Sequence, residues 1–475
     1  MGNLHRVRGA KESGRVSGVS SVRRPWIEAA LWMSLVGPYF FLVYGACNWI
    51  SSQTASVPSF YWEWERHIPF VPIFILPYMS IDAFFAASVF LCRSRRELHT
   101  VAARMLFAIS ASGICFLLHP LKFAFVRPTV DGWLAPIFAP LIANDRPFNL
   151  APSLHISLRV ILWTVYGRHL QGILRGGVKT WFFLIGLSTL LVWQHHFFDV
   201  VAGFAMALAT FYIFPDRTVP VVPRSMEDAA SRKLGLVYAA MAIVFGSLAL
   251  LRPYGLWFLW PALSFGLVAA AYLGAGIAVF QKQHGCLSAA VEWALLPWLL
   301  LCGAVRWRWR RQGAAFVELP GKVLFGRRLT SSEAATAVKD GVVAVLDLAA
   351  ESNEARPFIE KTVCRQFSVL DFTSPSPDAM GEAVAFLEEH AARGKVYVHC
   401  ELGFSRSAAI AGAWLIARGE VADADSAIAR LLELRPSVRL RSVERAALAE
   451  FANRRKRSVQ IAEPESLSEV VVKAV

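Results

Sequence analysis

The feature that most constrains this sequence is a series of long apolar runs in its first two thirds. Each run is close to the length that about 30 Å of hydrocarbon requires of a helix. Hydrophobic residues make up 55% of the chain, more than a soluble domain normally carries. We therefore predict an α-helical polytopic membrane domain with roughly nine crossings. The runs are Trp26–Trp49, Phe70–Leu91, Val101–Leu118, Leu154–Tyr166, Phe182–Trp193, Val200–Phe214, Leu236–Leu251, Trp257–Phe280 and Leu287–Val305.

Basic residues cluster beside the apolar runs and give the chain a formal net charge of +14. Because positively charged loops stay in the cytosol, the N-terminal tail and the segments Arg93–Arg96, Arg168–Lys179 and Arg217–Lys233 are predicted to be cytosolic. No basic patch lies on a soluble face, so nucleic acid is not an expected partner. Nine crossings would place the C-terminal segment outside, whereas Arg306–Arg311 favours the cytosol. We predict a cytosolic C-terminal segment, which requires one late run to be re-entrant or not to span.

The composition changes abruptly after Arg311. Downstream, buried-strand patterns at Val342–Asp347 and Lys395–His399 alternate with helical patterns at Asp378–His390 and Ala408–Arg418. This alternation predicts a soluble α/β domain after the membrane part. The predicted organisation is a basic cytosolic tail over residues 1–25, a membrane domain over 26–215, additional transmembrane helices over 216–312, the α/β domain over 313–455 and a disordered tail over 456–475.

The most specific motif is His-Cys-Glu-Leu-Gly-Phe-Ser-Arg-Ser at residues 399–407. It lies between a predicted strand and a predicted helix, where the N–H groups of a tight loop and a helix N-terminus can hold an anion. Gly403 belongs to this loop, and Arg406 can bind two phosphate oxygens. The same positive field favours a thiolate, so we expect the pKa of Cys400 to be depressed and Cys400 to be a nucleophile at neutral pH.

This motif resembles the Cys-x5-Arg signature of the protein tyrosine and dual-specificity phosphatases, and the resemblance extends over about Val317–Phe451. In that family a phosphocysteine intermediate forms, an upstream Asp protonates the leaving oxygen, and the hydroxyl after the Arg assists hydrolysis. The residues that match are the nucleophile Cys400, the phosphate-binding Arg406 and Gly403, the assisting Ser407 and the general acid Asp371, for which Asp378 is the alternative.

Three separated segments place polar residues at one end of the apolar runs, where such groups are costly and usually functional. They are Lys122-x4-Arg127-Pro128, Pro152-Ser153-Leu154-His155 and His195-x3-Asp199. Because His195 and Asp199 lie one helical turn apart, the carboxylate can orient the imidazole and leave its other nitrogen free to attack. Lys122 and Arg127 would neutralise a phosphate, and His155 would protonate the leaving oxygen.

Together these segments resemble the three motifs of the type 2 phosphatidic acid phosphatase superfamily, Lys-x6-Arg-Pro, Pro-Ser-Gly-His and Ser-Arg-x5-His-x3-Asp. The resemblance implies a phosphohistidine intermediate on His195 and a phosphate site that includes Ser153. The first spacing is shorter here, Leu154 replaces the glycine, and Ser188-Thr189 replaces Ser-Arg. The Pro-Ser-Leu-His form is closer to the branch that includes sphingomyelin and inositol phosphorylceramide synthases, so head-group transfer is an alternative to hydrolysis.

Proteins that join these two families occur in bacteria, and this chain resembles them. The sequence therefore predicts a multi-pass protein of a bacterial inner membrane, with the histidine site on the outer face. Its predicted substrates are lipid phosphates such as phosphatidylglycerophosphate, phosphatidic acid or a phosphoinositide. A membrane-anchored protein tyrosine or dual-specificity phosphatase is the alternative, and a scaffold with a decayed membrane site is a third. Neither chemistry requires a metal or another cofactor, because Lys and Arg supply the positive charge.

Overall fold

The computed structural model describes residues 24–144, 146–216, 229–251, 255–311 and 313–462. The chain divides into two compact units, residues 1–216 and 217–475. The first unit coincides with the predicted tail and first membrane domain, whereas the additional helices group with the α/β domain. Residues 1–23, most of the predicted basic tail, and residues 463–475 of the predicted disordered tail lie outside the described residues.

The first unit is a helical bundle arranged around its fifth helix. Its described residues form α1 (Trp26–Ser52), α2 (Ile75–Leu91), α3 (Arg95–Leu118), α4 (Ala135–Asn144), α5 (Leu154–His169), α6 (Gly172–Leu191) and α7 (Phe197–Ile213). α5 packs against α2, α3, α6 and α7, and half of its residues are buried. It is shorter than α1 and α3.

Local sequence determines where α5 begins and how closely it approaches α7. Ser153 precedes the helix, and its Oγ accepts a hydrogen bond from the N–H of Ile156 at 3.3 Å, which is an N-cap. On α7, Gly203 allows close contact, because a Cβ atom there would lie 2.6 Å from the Ser153 carbonyl oxygen. The start of α5 is therefore held directly beside α7.

The second unit begins with three apolar helices, α8 (Ala229–Leu248), α9 (Leu259–Ala270) and α10 (Ala289–Arg310). α9 packs against both α8 and α10. Regular α-helical geometry ends after Ala270, where Gly274 has a φ of 141°, a value that glycine adopts without steric cost. Irregular helical turns then continue the chain to Phe280.

All nine predicted apolar runs are helical, wholly or in large part. Among the described residues, six helices are long and apolar enough to cross a membrane: α1, α2 extended from Pro72, α3, α8, α9 extended to Phe280, and α10. The helices of the other three runs, α5, α6 and α7, are shorter or carry charged residues. α5 and α7 are 16 and 17 residues long, and α6 carries Arg175 and Lys179 in its first half.

The C-terminal domain contains a five-stranded sheet, which confirms the predicted α/β class. The strands are β1 (Phe316–Leu319), β2 (Val323–Arg327), β3 (Val342–Ala349), β4 (Val363–Val369) and β5 (Lys395–Cys400). Their order is β1-β2-β5-β3-β4, with β1 antiparallel to β2 and all other neighbours parallel. The two predicted strands are β3 and β5, which lie side by side, so their carboxyl ends meet at one edge of the sheet.

Helices cover this sheet. They are α11 (Ser331–Lys339), α12 (Arg356–Lys361), α13 (Pro377–Ala391), α14 (Arg406–Ala417), α15 (Ala424–Leu434) and α16 (Ser442–Ala462). α14 is almost entirely buried, because it packs between the strands β2 and β5 and the helices α13, α15 and α16. α16 continues to Ala462, past residue 455, where the sequence predicted that a disordered tail begins.

The loop between α9 and α10 inserts Lys282 into the α/β domain. Its Nζ lies 2.5 Å from Oδ2 of Asp347, and the two side chains are 2% and 0% exposed. The same loop is hydrogen-bonded through its backbone, since the N–H of Glu354 donates to the Gly285 carbonyl at 2.7 Å. The Nε2 of Gln366 donates to the Lys282 carbonyl at 3.0 Å. These contacts attach the three apolar helices to the domain.

Replacing Lys282 by Met should destabilise the second unit, because the carboxylate of Asp347 is then buried without this cation. Breaking a buried ion pair costs about 3–5 kcal/mol, so we expect a clear fall in the thermal unfolding midpoint of the detergent-solubilised protein. Adding Asp347→Asn should recover part of the loss. Lys395→Met removes an exposed pair with Glu318 and should have little effect. An equal fall in the unfolding midpoint of this control would show that the buried pair of Lys282 and Asp347 stabilises the unit no more than an exposed pair does.

Candidate active site

The loop after β5 crosses directly from the sheet to the buried helix α14. β5 ends at Cys400 and α14 begins at Arg406. Gly403 has a φ of 75°, and a Cβ atom at this position would lie 2.5 Å from the carbonyl carbon of Gly326. A side chain therefore fits neither the conformation nor the space. The loop is held against β2 with the N-terminus of α14 behind it, which is the geometry of an anion-binding site.

Cys400 lies at the base of this loop and is 2% exposed. The N–H of Gly403 donates to its Sγ at 3.3 Å, and the Oγ of Ser407 lies 3.4 Å from the same sulfur. Ser407 is held in turn by a hydrogen bond from its Oγ to the Gly326 carbonyl at 3.2 Å. The predicted nucleophile and the predicted assisting hydroxyl are therefore neighbours.

Arg406 is oriented by two carboxylates. Its two terminal nitrogens donate to the carboxylate of Glu351 at 2.6 and 2.9 Å, and Oδ1 of Asp371 lies 3.5 Å away. Burial by itself would lower the pKa of Arg406, but Glu351 and Asp371 raise it above its ordinary value. The Nε of Arg406 is buried and has no hydrogen-bond partner among the described residues. Glu351 thus fixes one side of the guanidinium and leaves a donor for phosphate.

The two candidate acids lie in different surroundings. Asp371 lines the same cavity as Cys400 and Arg406, and its side chain is 39% exposed. Asp378 lies in the first turn of α13, is 81% exposed and pairs with Arg454 at 2.8 Å. This arrangement favours Asp371 as the group that reaches a leaving oxygen.

Glu351 and Arg441 are charged residues of the site that were not predicted from the sequence. Glu351 follows β3 at the edge of the sheet where β5 ends at Cys400, and this shared position was the only available signal. Arg441 lines the cavity, and its guanidinium lies 3.4 Å from Oγ of Ser405 in the loop. Arg441 lies far along the chain from Cys400, and no sequence spacing indicates that it returns to the site.

The catalytic loop also contacts α10. Glu401 of the loop forms an ion pair with Arg306 near the end of that helix, and its other carboxylate oxygen accepts a hydrogen bond from Oγ of Ser352 at 2.6 Å. Burial by itself would raise the pKa of Glu401, but Arg306, Arg328 and the hydrogen bond from Ser352 together lower it below its ordinary value. The ring of Phe404 meets that of Trp309 edge to face at 5.3 Å. The loop conformation is therefore supported by a helix outside the α/β domain.

A buried charged cluster lies behind the loop. Nε2 of His399 lies 2.5 Å from Oε2 of Glu354 and 4.0 Å from Oδ1 of Asp347. Burial by itself would lower the pKa of His399, but Glu354 and Asp347 raise it to about 9. The ligand atoms of these three residues lie within 4.8 Å of one another, close enough for a metal ion. The ammonium of Lys282 and the imidazolium of His399 already balance the two carboxylates.

Residues 325–454 match the family model described as the dual specificity phosphatase catalytic domain. The C-terminal domain is a dual specificity phosphatase domain. The chain is also similar to solved structures of PTPMT1 in complex with PI(5)P (21% identity, 31% of this chain and 99% of that chain, TM-score 0.29), of Tk-PTP in the active form (24%, 30% and 97%, 0.28) and of human DUSP28 (18%, 30% and 97%, 0.25). The family match assigns cysteine-based phosphatase chemistry to the C-terminal domain.

In the first unit, His155 and His195 line one cavity of about 670 Å³. Nδ1 of His195 lies 3.5 Å from Oδ2 of Asp199, and the ring of His155 stacks on Tyr78 with centroids 4.2 Å apart. The N–H of Ser153 donates to the Asp199 carbonyl at 3.0 Å. The second and third polar segments of the sequence are therefore in contact.

The predicted phosphate-binding residues of the first unit are not among the described residues that line the cavity of His155 and His195. Arg127 donates to the Trp193 carbonyl at 3.3 Å, which keeps it near the His195 segment. The backbone N–H of Lys122 donates to the Pro58 carbonyl at 2.9 Å. The hydroxyl of Ser153 is engaged as the N-cap of α5.

Two further polar residues of the first unit have clear contacts. Nδ1 of His196 lies 3.0 Å from Oε2 of Glu65, so this imidazole is held by a hydrogen bond to the carboxylate. Asp82 lines the same cavity as His155 and His195. Asp82 was not among the predicted site residues, although a carboxylate inside an apolar run is itself a functional signal.

Replacing Glu354 by Gln should destabilise the phosphatase domain in a pH-dependent way. The folded-state pKa of His399 is about 9 and its ordinary value is about 6.5, so protonation favours the folded state. This contribution is complete below about pH 6.5 and is lost as the pH rises through about 9; it amounts to about 3 kcal/mol. We expect the thermal midpoint of the variant to lie below that of the wild type at about pH 6 and to approach it at about pH 10.

The matched control is Glu360→Gln, which removes an exposed carboxylate paired with Arg356. This variant should behave like the wild type across the same pH range. A difference between wild type and Glu354→Gln that stays constant from acid to alkaline pH would show that His399 is not the group that titrates.

Proposed function

We propose that this protein is a membrane-bound phosphatase that hydrolyses lipid phosphomonoesters at Cys400. The observation that carries the proposal is the loop geometry, in which Cys400 and Arg406 line one cavity and the hydroxyl of Ser407 lies beside the Cys400 sulfur. The helices that share a compact unit with this domain are long and apolar enough for a membrane. A phosphatase fixed beside such helices meets substrates that are themselves held in the bilayer.

The reaction follows from the positions of these groups. The thiolate of Cys400 attacks phosphorus, the bond to the leaving oxygen breaks, and Asp371 gives that oxygen its proton. The negative charge on the phosphoryl oxygens is stabilised by Arg406 and by the loop N–H groups. Asp371, now a carboxylate, takes a proton from water as the water attacks the phosphocysteine, with Ser407 beside the departing sulfur. The products are an alcohol and inorganic phosphate, and the thiolate is regenerated.

The first unit supports a second candidate activity, a histidine-dependent phosphatase or head-group transferase. The supporting observation is that His155, His195 and Asp199 lie together beside one cavity. In this proposal His195 attacks phosphorus, Asp199 stabilises the resulting imidazolium, and His155 protonates the leaving oxygen. Lys122, Arg127 and Ser153 serve the phosphate once substrate is bound. Water or a lipid hydroxyl then accepts the phosphoryl group from His195.

We also propose that α10 lies along the phosphatase domain rather than across the membrane. At its start the N–H of Leu287 donates to Oδ1 of Asn353 at 2.6 Å, and near its end Arg306 pairs with Glu401. The 22 residues of α10 span about 33 Å. If this helix crossed the hydrocarbon, the charged domain that contacts both of its ends would have to lie beside the lipid tails.

This placement reconciles the conflicting signals for the C-terminal domain. α8 and α9 then make two crossings and return the chain to the side of Arg217–Lys233, which the positive-inside rule assigns to the cytosol. The phosphatase domain follows on that side. Its active-site cysteine is thus kept in a reducing compartment.

Cys400→Ser and His195→Ala should remove separate activities. We expect Cys400→Ser to lower phosphate release from at least one phospholipid by about a thousandfold or more, and His195→Ala to remove a different lipid activity. The measurement is phosphate release in detergent from a panel of phosphatidylglycerophosphate, phosphatidic acid, phosphoinositides and phosphopeptides. If only Cys400→Ser matters and phosphopeptides are the better substrates, the protein is a membrane-anchored protein phosphatase and the lipid proposal is wrong.

The placement of α10 predicts which side of the membrane Cys286 faces. Cys286 is exposed in the loop before α10, and as the sole cysteine in sealed vesicles it should react with an impermeant maleimide on the same side as Glu389→Cys in the phosphatase domain. Leu250→Cys, at an exposed position just after α8, should react on the opposite side. Labelling of Cys286 together with Leu250→Cys would mean that α10 crosses the membrane.

A further inference from the structure

The cavity of the phosphatase site extends beyond the phosphatase domain. It has a volume of about 540 Å³, and its lining includes Cys400, Arg406 and Asp371 together with side chains of α8, α9 and α10. The family match begins at residue 325, after the last of these helices. The region into which a leaving group would extend is therefore built by a part of the chain outside the matched domain.

Four aromatic side chains of these helices and of the irregular turn after α9 form one packed cluster, here called the aromatic wall: Tyr238, Phe265, Tyr272 and Trp298. The rings of Phe265, Tyr272 and Trp298 lie with their centroids 5.8–6.4 Å from that of Tyr238. Phe265, Tyr272 and Trp298 are at most 5% exposed. The wall is therefore preformed and does not need to assemble around a ligand.

The outer part of the cavity is formed by one face of α10. Trp298, Leu301 and Val305 follow the three- and four-residue spacing that places side chains on the same side of a helix. Leu301 and Val305 are 50% and 48% exposed and line the cavity. Leu300, one position earlier, is 65% exposed but does not belong to the lining. An apolar surface thus continues from the aromatic wall towards the exterior.

The helices that carry this surface are attached to the catalytic loop on two sides. Lys282 is buried against Asp347 at one end of α10, and Arg306 pairs with Glu401 of the loop near the other end. The distance from the phosphate-binding Arg406 to the wall is therefore set by ion pairs at both ends. A substrate has to match a charged group and an apolar group at a defined separation.

The chemistry of the lining selects the class of leaving group. A phosphopeptide would bring backbone N–H and C=O groups against the wall, where they would lose hydrogen bonds to water. An acyl or alkyl chain has no such groups, and its burial is favourable.

We propose that the aromatic wall and the Leu301 face of α10 form a binding site for the acyl or alkyl part of the lipid phosphate whose phosphate is held by Arg406. This inference rests on the proposed function of the Cys400 site. It assigns the selection of lipid substrates to helices that precede the phosphatase domain in the same chain.

Monoalkyl phosphates of increasing chain length, from butyl to dodecyl phosphate, test the proposal with the full-length protein. The rate that depends on Cys400 is obtained by subtracting the rate of the same variant carrying Cys400→Ser. For the wild type we expect kcat/KM to rise roughly fourfold per added methylene until the cavity is filled. Leu301→Glu places a charge in the path of the chain and should lower kcat/KM for dodecyl phosphate at least tenfold, while butyl phosphate changes less than twofold.

Leu300→Glu is the matched control, because it places the same charge on the neighbouring exposed position outside the lining, and it should leave both substrates within twofold of the wild type. Leu301→Trp reduces the volume of the cavity and should shift the plateau to shorter chains. This second variant tests the proposal even if Leu301→Glu does not fold.

The outcomes separate this inference from the function on which it rests. If dodecyl phosphate is hydrolysed in a Cys400-dependent manner with the same chain-length dependence in both Leu301 variants, the binding site is overturned and the lipid phosphatase stands. Equal loss on butyl and dodecyl phosphate in Leu301→Glu also overturns it, because Leu301 then acts on the fold. If no alkyl phosphate or phospholipid is a Cys400-dependent substrate while phosphopeptides are, the proposed lipid function fails and the binding site with it.

Discussion

The second unit depends on the buried ion pair between Lys282 and Asp347. A cation from the loop between two apolar helices enters the core of the α/β domain, where Asp347 would otherwise be a costly buried charge. The imidazolium of His399 and the carboxylate of Glu354 complete the cluster, so two cations meet two carboxylates. Because His399 directly precedes Cys400, this charge balance lies immediately beneath the catalytic loop and couples the position of the helices to it.

The catalytic loop is also held by pairs of opposite charges. Arg406 is held by Glu351 and approached by Asp371, and Glu401 is held by Arg306. Each charged group that phosphate chemistry requires is thus oriented before the substrate arrives, which lowers the cost of reorganisation in the transition state. The Nε of Arg406 remains available to a phosphate oxygen. The acids around Arg406 keep the guanidinium charged without occupying every donor.

The apolar helices of the second unit combine two roles in this view. α8 and α9 are long and apolar enough for a membrane once the turns that extend α9 are included, and α10 connects them to the phosphatase domain through contacts near both of its ends. The face of α10 that meets the cavity is apolar, while the end that meets the loop carries Arg306. One helix therefore supplies both an ion pair for the loop and the apolar surface that we propose for the substrate.

The sequence alone was sufficient for features that depend on local pattern. The apolar runs predicted the helices, the alternation after Arg311 predicted the α/β domain, and the residues from His399 to Ser407 predicted the strand, loop and helix of the phosphatase site. Such patterns are local because backbone hydrogen bonding and anion binding by a helix N-terminus act over a few residues. Tertiary structure decided the rest, namely that Glu351 and Arg441 reach the site, that Lys282 enters the α/β core, and that both ends of α10 contact the phosphatase domain. These contacts join residues 36 to 95 positions apart, and burial and charge pairing between distant segments leave no periodic signal along the chain.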